Sequence, residues 1–397
     1  MAYDAIIIGG GACGLMCAVQ AGLLGKKTLL IERNDKPGAK ILISGGGRCN
    51  YTNLYTTVDN FVSENPKFLN AVFSQWTVDD TVQFFENFGS IKGQEKTLGQ
   101  LFPTTNKAKD IVAVFTKLMY ETGQDIWLDT EVTNVEEDGG GFVISFTKSG
   151  KNGKISSPKV VLATGGLPVA KLGASDFALR MARKFGLQVV DTAPALVPLT
   201  ITGKDADWYA SLAGNSVYSR VYNEQISFEE NILFTHWGLS GPAILQISSY
   251  WKPGQSFTID LLPKFRLEEL IKQEREFGGK RLVSQLLNDF FTKKMVDALG
   301  AFLPLQTKIA SLSKADAKLI IERIHKFQVK PAGDKGYDKA EVMRGGVSTT
   351  ELLTKTLAAK KVPGLYFGGE AVDITGWLGG YNFQWAWAAG YAIAQDI

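Results

Sequence analysis

The segment from Tyr3 to Glu32 constrains this chain more than any other. Tyr3-Asp4-Ala5-Ile6-Ile7-Ile8 is short, apolar and β-branched, the pattern of a parallel strand buried on both faces. Gly9-Gly10-Gly11-Ala12-Cys13-Gly14 follows, with glycine at the first, third and sixth positions. Gly9 permits a tight turn, Gly11 lets a pyrophosphate approach the backbone, and Gly14 lets a helix pack on the strand. Leu15 to Leu24 reads as that helix, with its N-terminus toward the phosphates, and Gly25 closes it. Thr28-Leu29-Leu30-Ile31 is the second strand, ended by Glu32 at the distance where a carboxylate binds a ribose hydroxyl. An acid there favours a free 2′-hydroxyl, as in NAD or FAD, over a 2′-phosphate. The order strand, helix, strand, acid marks a Rossmann-like α/β nucleotide domain.

Ser44-Gly45-Gly46-Gly47-Arg48-Cys49-Asn50 follows soon after that acid. Three consecutive glycines leave a bare backbone whose N–H groups can close around an anion or a flat ring. A cation, a thiol and an amide come next. The placement predicts that the run meets the reactive end of the bound nucleotide.

A chain of 397 residues has room for two or three domains. Its 43 basic and 40 acidic residues nearly cancel, so bulk charge does not argue for nucleic acid, though a local patch remains open. Cys13, Cys17 and Cys49, an odd number without metal spacing, fit a reducing, cytoplasmic setting. Cys13 and Cys17, beside the first helix, read as small core residues. The apolar start lacks the basic residues of a signal peptide, and no apolar stretch reaches membrane-spanning length. His236 and His325 stand too far apart in sequence to make a metal motif, and none is expected.

Along the chain, Phe61 to Glu121 reads as helical, with its aromatic residues as core. Asp125 to Phe146 alternates and turns at Asp138-Gly139-Gly140-Gly141, the pattern of a β-meander. Val160 to Ala163 is another buried strand, and Ser175 to Phe185 a helix capped by Ser175. The expected division is a nucleotide domain at 1–190, an insert at 191–332 and a return to the nucleotide domain at 333–397. Within the insert, 191–262 is strand-like and 263–330 is rich in helix formers.

The C-terminal part repeats the glycine-led style. Gly364 to Glu370 reads as strand, glycine turn and acid. Asp373 and Gly376-Trp377-Leu378-Gly379-Gly380-Tyr381-Asn382 then lead into a helix from Phe383 to Asp396. A helix entered through Gly379-Gly380 aims free N–H groups at whatever precedes it. For a flavin that target is the N1 and C2 carbonyl edge, which a dinucleotide acting without a flavin would not need. A glycine turn that merely caps a core helix is the plainer alternative.

Lys40 through Asn53 (K-I-L-I-S-G-G-G-R-C-N-Y-T-N) resembles the signature of the BaiN/RdsA flavoproteins, also known as YhiN-like or aminoacetone-oxidase-type. The resemblance extends to Ala163-Thr164-Gly165-Gly166, to Phe234 through Pro242, to Gly345-Gly346-Val347 and to the whole of Gly368 to Gly390. It implies a glutathione-reductase-type FAD domain interrupted by a small β-barrel and a helical part. It implies non-covalent FAD, with NAD(P)H as a transient electron donor. Cofactor contacts are then expected from Gly9, Gly11, Ala12, Cys13, Gly14, Glu32 and Arg33. Lys40, Ser44 to Arg48, Asn50, Val132, Ala163, Thr164 and Gly165 join them. Gly369, Glu370, Asp373, Gly379, Gly380, Tyr381 and Asn382 complete the set. The resemblance also implies reduction of conjugated C=C bonds, in a small-molecule enone or in a uracil of ribosomal RNA. Amine or aminoketone oxidation is a further alternative.

Arg48, Cys49 and His236 are the catalytic candidates. Arg48 can hold an anionic or carbonyl group. Cys49 beside that cation is expected to have a lowered pKa, which suits a thiolate; simple packing is its alternative. Asn50 offers a donor and an acceptor to the flavin edge, or caps a turn. His236 reads as an acid/base group or as a buried structural histidine, and His325 as a surface residue. For an RNA substrate, Lys264, Arg266, Lys272, Arg275, Lys280, Arg281, Lys293 and Lys294 supply cations, unless nearby acids balance them as solvated helix faces. The oligomeric state is not readable from the chain.

Overall fold

The computed structural model of the protein describes residues 3–397. Its parallel sheet of five strands runs in the order Leu365–Phe367, Val160–Leu162, Ala5–Ile8, Thr28–Ile31, Asp125–Trp127. Ile6 pairs with Val160 on one side and Leu29 on the other. Ile6, Ile7, Val160, Val161 and Leu365 are fully buried. Both faces of the sheet are therefore covered, which is why these strands read as unbroken apolar runs. Strand order reverses between Ala5–Ile8 and Val160–Leu162, and the glycine turn after Ile8 opens at that crevice.

The helix Ala12–Leu23 packs against the C-terminal helix Tyr381–Ala394. Gly390 makes the close approach possible, since a β-carbon there would stand 2.5 Å from the Cys13 carbonyl oxygen. Cys13 and Cys17 are buried in this contact, as core residues. Trp387 stacks on Phe115 at 5.3 Å, with Phe85 edge-on to both.

The stretch 61–121 is not continuous helix. Helices Phe68–Phe73, Val78–Gly89 and Ala108–Glu121 are separated by a hairpin, Gly93–Glu95 with Gln100–Pro103. Gly93, Gly99 and Pro103 break the helical run, while the aromatic spacing holds only within the helices. Of the expected meander, Asp125–Trp127 instead joins the parallel sheet, and the antiparallel set is Thr130–Asp138, Gly141–Lys148 and Lys151–Ser157. The helix near 175 is Phe177–Lys184, and Asp176, not Ser175, stands at its N-cap, without a side-chain cap bond; the Ser175 hydroxyl, one residue further out, accepts from the Phe177 N–H at 3.4 Å.

The chain divides into two compact units. One runs to Ala193 and resumes at Val342; the other is Pro194–Glu341. The return comes later than 333 because Gly333–Asp334 still pairs with Leu199–Thr200 in the second unit's sheet. That sheet is antiparallel, with seven strands among the described residues. Its outermost strands, Phe327–Val329 and Gly333–Asp334, are consecutive in the chain. The sheet therefore curls until its two ends meet at one short connection.

His325 is not a surface residue. Its Nδ1 lies 2.8 Å from Asp260 Oδ1, and its Nε2 accepts from the Leu267 N–H at 3.2 Å. The ring ties the end of strand Phe257–Asp260 to the start of helix Leu267–Glu276. Among the described residues, no helix is long and apolar enough to cross a membrane.

Candidate active site

The glycine turn after Ile8 is shaped by close backbone approaches. Gly9 has φ +110°, and a β-carbon on it would stand 2.4 Å from the Ala163 carbonyl oxygen. One on Gly14 would stand 1.9 Å from the Gly9 carbonyl oxygen. Gly11 differs: a β-carbon there would meet nothing within 4 Å. Open space thus lies where Gly11 and the first N–H groups of the helix at Ala12 would receive a phosphate. Glu32 is 8% exposed, and its two carboxylate oxygens accept from the Gly10 N–H at 2.7 Å and the Asn34 N–H at 2.8 Å. Each oxygen keeps a lone pair for a ribose hydroxyl. Arg33 is exposed and lies 3.7 Å from Glu131. Val132 is buried in the strand Thr130–Asp138.

Ser44 to Gly47 leaves helical geometry and exposes bare glycine backbone. The helix that starts at Ala39 breaks at Ser44, and Gly45, Gly46 and Gly47 are all left-handed, at φ +54°, +68° and +80°. Gly46 and Gly47 are exposed, and Arg48 Nε turns back to the Gly45 carbonyl at 2.9 Å. Cys49 is 0% exposed, itself left-handed at φ +59°. Burial pushes its thiol up to about 12, against a smaller lowering by the Ser44 hydroxyl. The lowered pKa expected from the neighbouring cation is therefore not found: loss of hydration is the largest influence on the thiol, and the Arg48 side chain is exposed. Asn50 is 8% exposed, and its Oδ1 has no hydrogen-bond partner.

The C-terminal glycine segments meet this run. Lys40 Nζ lies 2.7 Å from Glu370 Oε2, while Glu370 Oε1 accepts from the Met343 N–H at 3.0 Å. Gly380, at φ +101°, heads the helix Tyr381–Ala394, and a β-carbon on it would stand 2.9 Å from the Asn50 Oδ1. Asn382 does not reach outward. Its Oδ1 accepts from Gly376 N–H at 2.8 Å and its Nδ2 donates to the Gly376 carbonyl at 2.9 Å, clamping the turn that leads into the helix. Asp373 is 4% exposed and accepts from the Glu64 N–H at 2.9 Å. Burial raises its pKa above the ordinary carboxyl range.

Sequence reasoning missed Gln384. It is 1% exposed, accepts from Thr52 Oγ1 at 2.7 Å and Thr81 Oγ1 at 2.9 Å, and donates to the Thr77 carbonyl at 3.1 Å. The available signal was a polar amide one turn into an alanine- and aromatic-rich helix. Trp385 was also missed; its Nε1 donates to the Gly369 carbonyl at 3.0 Å.

These residues fit a dinucleotide cofactor. Two buried acceptors without partners, Asn50 Oδ1 and Thr164 Oγ1, sit in the two motifs that flank the crevice. Gly165, at φ +74°, would place a β-carbon 3.9 Å from Glu370 Oε2. Orphaned buried polar atoms of this kind are costly unless a ligand satisfies them. His236 belongs to the other unit. It is exposed in the turn between strands Ser227–Thr235 and Gly238–Ser240, so it is not a buried structural histidine. Among the described residues no group of three His, Cys, Asp or Glu could hold a metal ion.

Comparison with known proteins agrees with this geometry. Residues 3–396 match the model of the HI0933-like protein Rossmann domain. The chain is 42% identical to the ribosomal RNA dihydrouridine synthase of Escherichia coli K12, covering 100% of this chain and 98% of that one. It is 27% identical to the 3-dehydro-bile acid delta(4,6)-reductase of Clostridium scindens, covering 98% and 97%. Among solved structures, 3-ketosteroid delta1-dehydrogenase from Sterolibacterium denitrificans superposes with a TM-score of 0.50 at 14% identity over 100% of both chains, a likeness of fold.

Proposed function

The chain belongs to the HI0933-like Rossmann-domain family, and on that premise we propose that it is an FAD-dependent oxidoreductase that reduces a uracil of ribosomal RNA to dihydrouracil. The observation that carries this reading is the similarity to the ribosomal RNA dihydrouridine synthase, which covers 100% of this chain and 98% of that one. The orphaned acceptors and the open space at Gly11 support a resident dinucleotide.

When bound, FAD supplies hydride chemistry to the conjugated C=C bond. Gly9, Gly11 and Gly14, with Ala12 and Cys13 in the first helical turn, would hold the pyrophosphate. Glu32 would hold the adenosine ribose, with Arg33 and Val132 as further contacts. Asn50, Thr164 and Gly165 would offer polar atoms to the flavin half, as would Lys40 and Glu370. Gly369, Gly379, Gly380 and Tyr381 would offer backbone to it, where the dipole of the C-terminal helix would favour negative charge. Asp373 and Asn382 hold these turns in place.

Arg48, exposed at the end of the glycine run, polarises a substrate carbonyl or holds a phosphate. His236, exposed on the second unit, is the proposed acid/base residue. Cys49 supports the loop from below and donates no proton to substrate, a role supported by its complete burial. NAD(P)H is the transient electron donor, since the one dinucleotide fingerprint in the chain is assigned to FAD. A ribosomal RNA substrate supports a cytoplasmic location for the activity.

A second reading is reduction of a small conjugated enone, favoured by the similarity to the bile acid reductase. It uses the same bond chemistry on a different substrate. Two measurements separate these readings. Purified protein should carry a flavin spectrum bleached by NADH or NADPH, and colourless protein that ignores added FAD would sink both. Ribosomal RNA from a deletion strain should lack one dihydrouridine, and an unchanged modification profile would leave only the enone reading.

A further inference from the structure

The basic residues of the second unit are largely committed within it. Arg281 bridges Glu274 at 2.8 Å and Asp289 at 2.7 Å. Arg275 donates to the carbonyls of Ile309 and Leu312. Arg266 lies 3.4 Å from Glu269, and Lys294 donates to the Ala213 carbonyl. These contacts are those of solvated helical faces.

A different surface lies in the first unit, beside Arg48. Strands Thr52–Asn53, Gln100–Pro103 and Gly93–Glu95 form a small antiparallel sheet. Side chains alternate along each strand, so Phe102, Gln100, Asn53 and Lys96 share one face. That face looks onto the glycine run and the entry to the C-terminal helix. A β-carbon on Gly45 would stand 2.8 Å from the Phe102 ring, and Asn53 Nδ2 donates to the Gly379 carbonyl at 2.8 Å. Two cations bracket the Phe102 ring: Arg48 at 5.3 Å and Lys96 at 4.4 Å from its centroid. Neither pairs with a carboxylate among the described residues; Lys96 donates to the Asn106 amide at 2.7 Å. The sheet's own acid, Glu95, is turned to the Gly99 N–H at 3.2 Å and the Tyr55 hydroxyl at 3.5 Å. Tyr55 packs over Gly99 yet is 60% exposed, and Leu98 at the hairpin tip is 57% exposed.

We propose that this face, with Arg48, Lys96, Tyr55 and Leu98, is where a single-stranded RNA segment is held so that one unstacked base enters the candidate active site. Uncompensated cations track a phosphate backbone, and an exposed tyrosine offers a base a stacking platform. The inference rests on the ribosomal RNA reading above, and supplies the surface that reading lacks.

The test uses the full-length flavoprotein and a fluorescein-labelled, uridine-rich oligoribonucleotide, followed by anisotropy across a salt series. Lys96→Ala with Tyr55→Ala should weaken binding by about tenfold or more and lower the salt slope by about one. Flavin content and bleaching by NAD(P)H should be unchanged, which shows that the variant is folded. Lys96→Arg should bind as the parent does. Lys272→Ala with Lys280→Ala, on the second unit, should bind normally. Parent protein that binds while the Lys96/Tyr55 variant binds equally well overturns this surface alone. Parent protein that does not bind RNA, together with unchanged dihydrouridine in the deletion strain, overturns the functional reading itself.

Discussion

Lys40 and Glu370 are 330 positions apart in the chain, and their side chains meet at 2.7 Å. The pair joins the start of the glycine-run helix to the turn before the C-terminal helix. Both segments carry proposed cofactor contacts, so the ion pair ties together two sequence-distant parts of the proposed cofactor site. Lys40→Met leaves Glu370 with only the Met343 N–H. We expect a loss of about 1–3 kcal/mol, as for one partner removed from a partly buried pair. The larger effect should be on flavin retention, read as the ratio of visible to ultraviolet absorbance after gel filtration.

Gly11 and Gly14 separate folding from cofactor binding. Gly14→Ala forces a β-carbon to 1.9 Å from a carbonyl oxygen, so it should cost at least ~3 kcal/mol and yield little soluble protein. Gly11→Ala meets no atom within 4 Å and has an extended φ of −79° that alanine adopts freely. It should fold with an apo-protein Tm close to the parent and bind FAD at least tenfold more weakly. Equal FAD affinity would remove the pyrophosphate from this turn.

Cys49 provides a pH-dependent prediction. Its thiol is raised to about 12 by burial, from a free value of 9.0. An acid with a raised folded pKa binds more protons when folded, so its contribution to stability is present below pH 9 and is lost as pH rises toward 12. Native protein at pH 8 should therefore leave Cys49 unreacted with a thiol reagent, together with Cys13 and Cys17, which are also buried. All three should react after unfolding. Cys49→Ala should cost about 1–2 kcal/mol of packing and leave turnover within about twofold. Turnover reduced a hundredfold in a flavin-replete variant would make the thiol a catalytic group.

Asp373 has the same sign in an acidic window. Burial, its largest influence, raises its pKa above the ordinary carboxyl value, and the N–H of Glu64 opposes the rise. Its contribution to stability is full below the unfolded carboxyl pKa and is lost as pH climbs through the raised folded value. Asp373→Asn keeps an acceptor for Glu64 and cannot ionise. The variant should show a flatter Tm profile across that window than the parent, measured by thermal melts at stepped pH.

The nucleotide half of this protein is legible in its sequence because its constraints are local. A buried parallel strand, three glycines at set offsets, a small-residue helix and a terminal acid are each dictated by neighbours within a few residues. The glycines at 379 and 380 are legible for the same reason, since a left-handed helix entry demands them. Other features depended on residues far apart in the chain. Arg48 is adjacent to Cys49, yet the thiol responds to the packing that excludes water from it. Asn382, which looks free to meet a ligand, spends its amide on Gly376. Gln384, unremarked in its helix, joins Thr52 and Thr81. His325 leaves the surface because Asp260 and Leu267 fold around it. Sequence spacing determined where a dinucleotide can bind and which glycines allow it. Tertiary structure decided which polar groups are satisfied, which cations remain unpaired and which thiol is kept from water, because hydration and ion pairing depend on neighbours that only folding brings together.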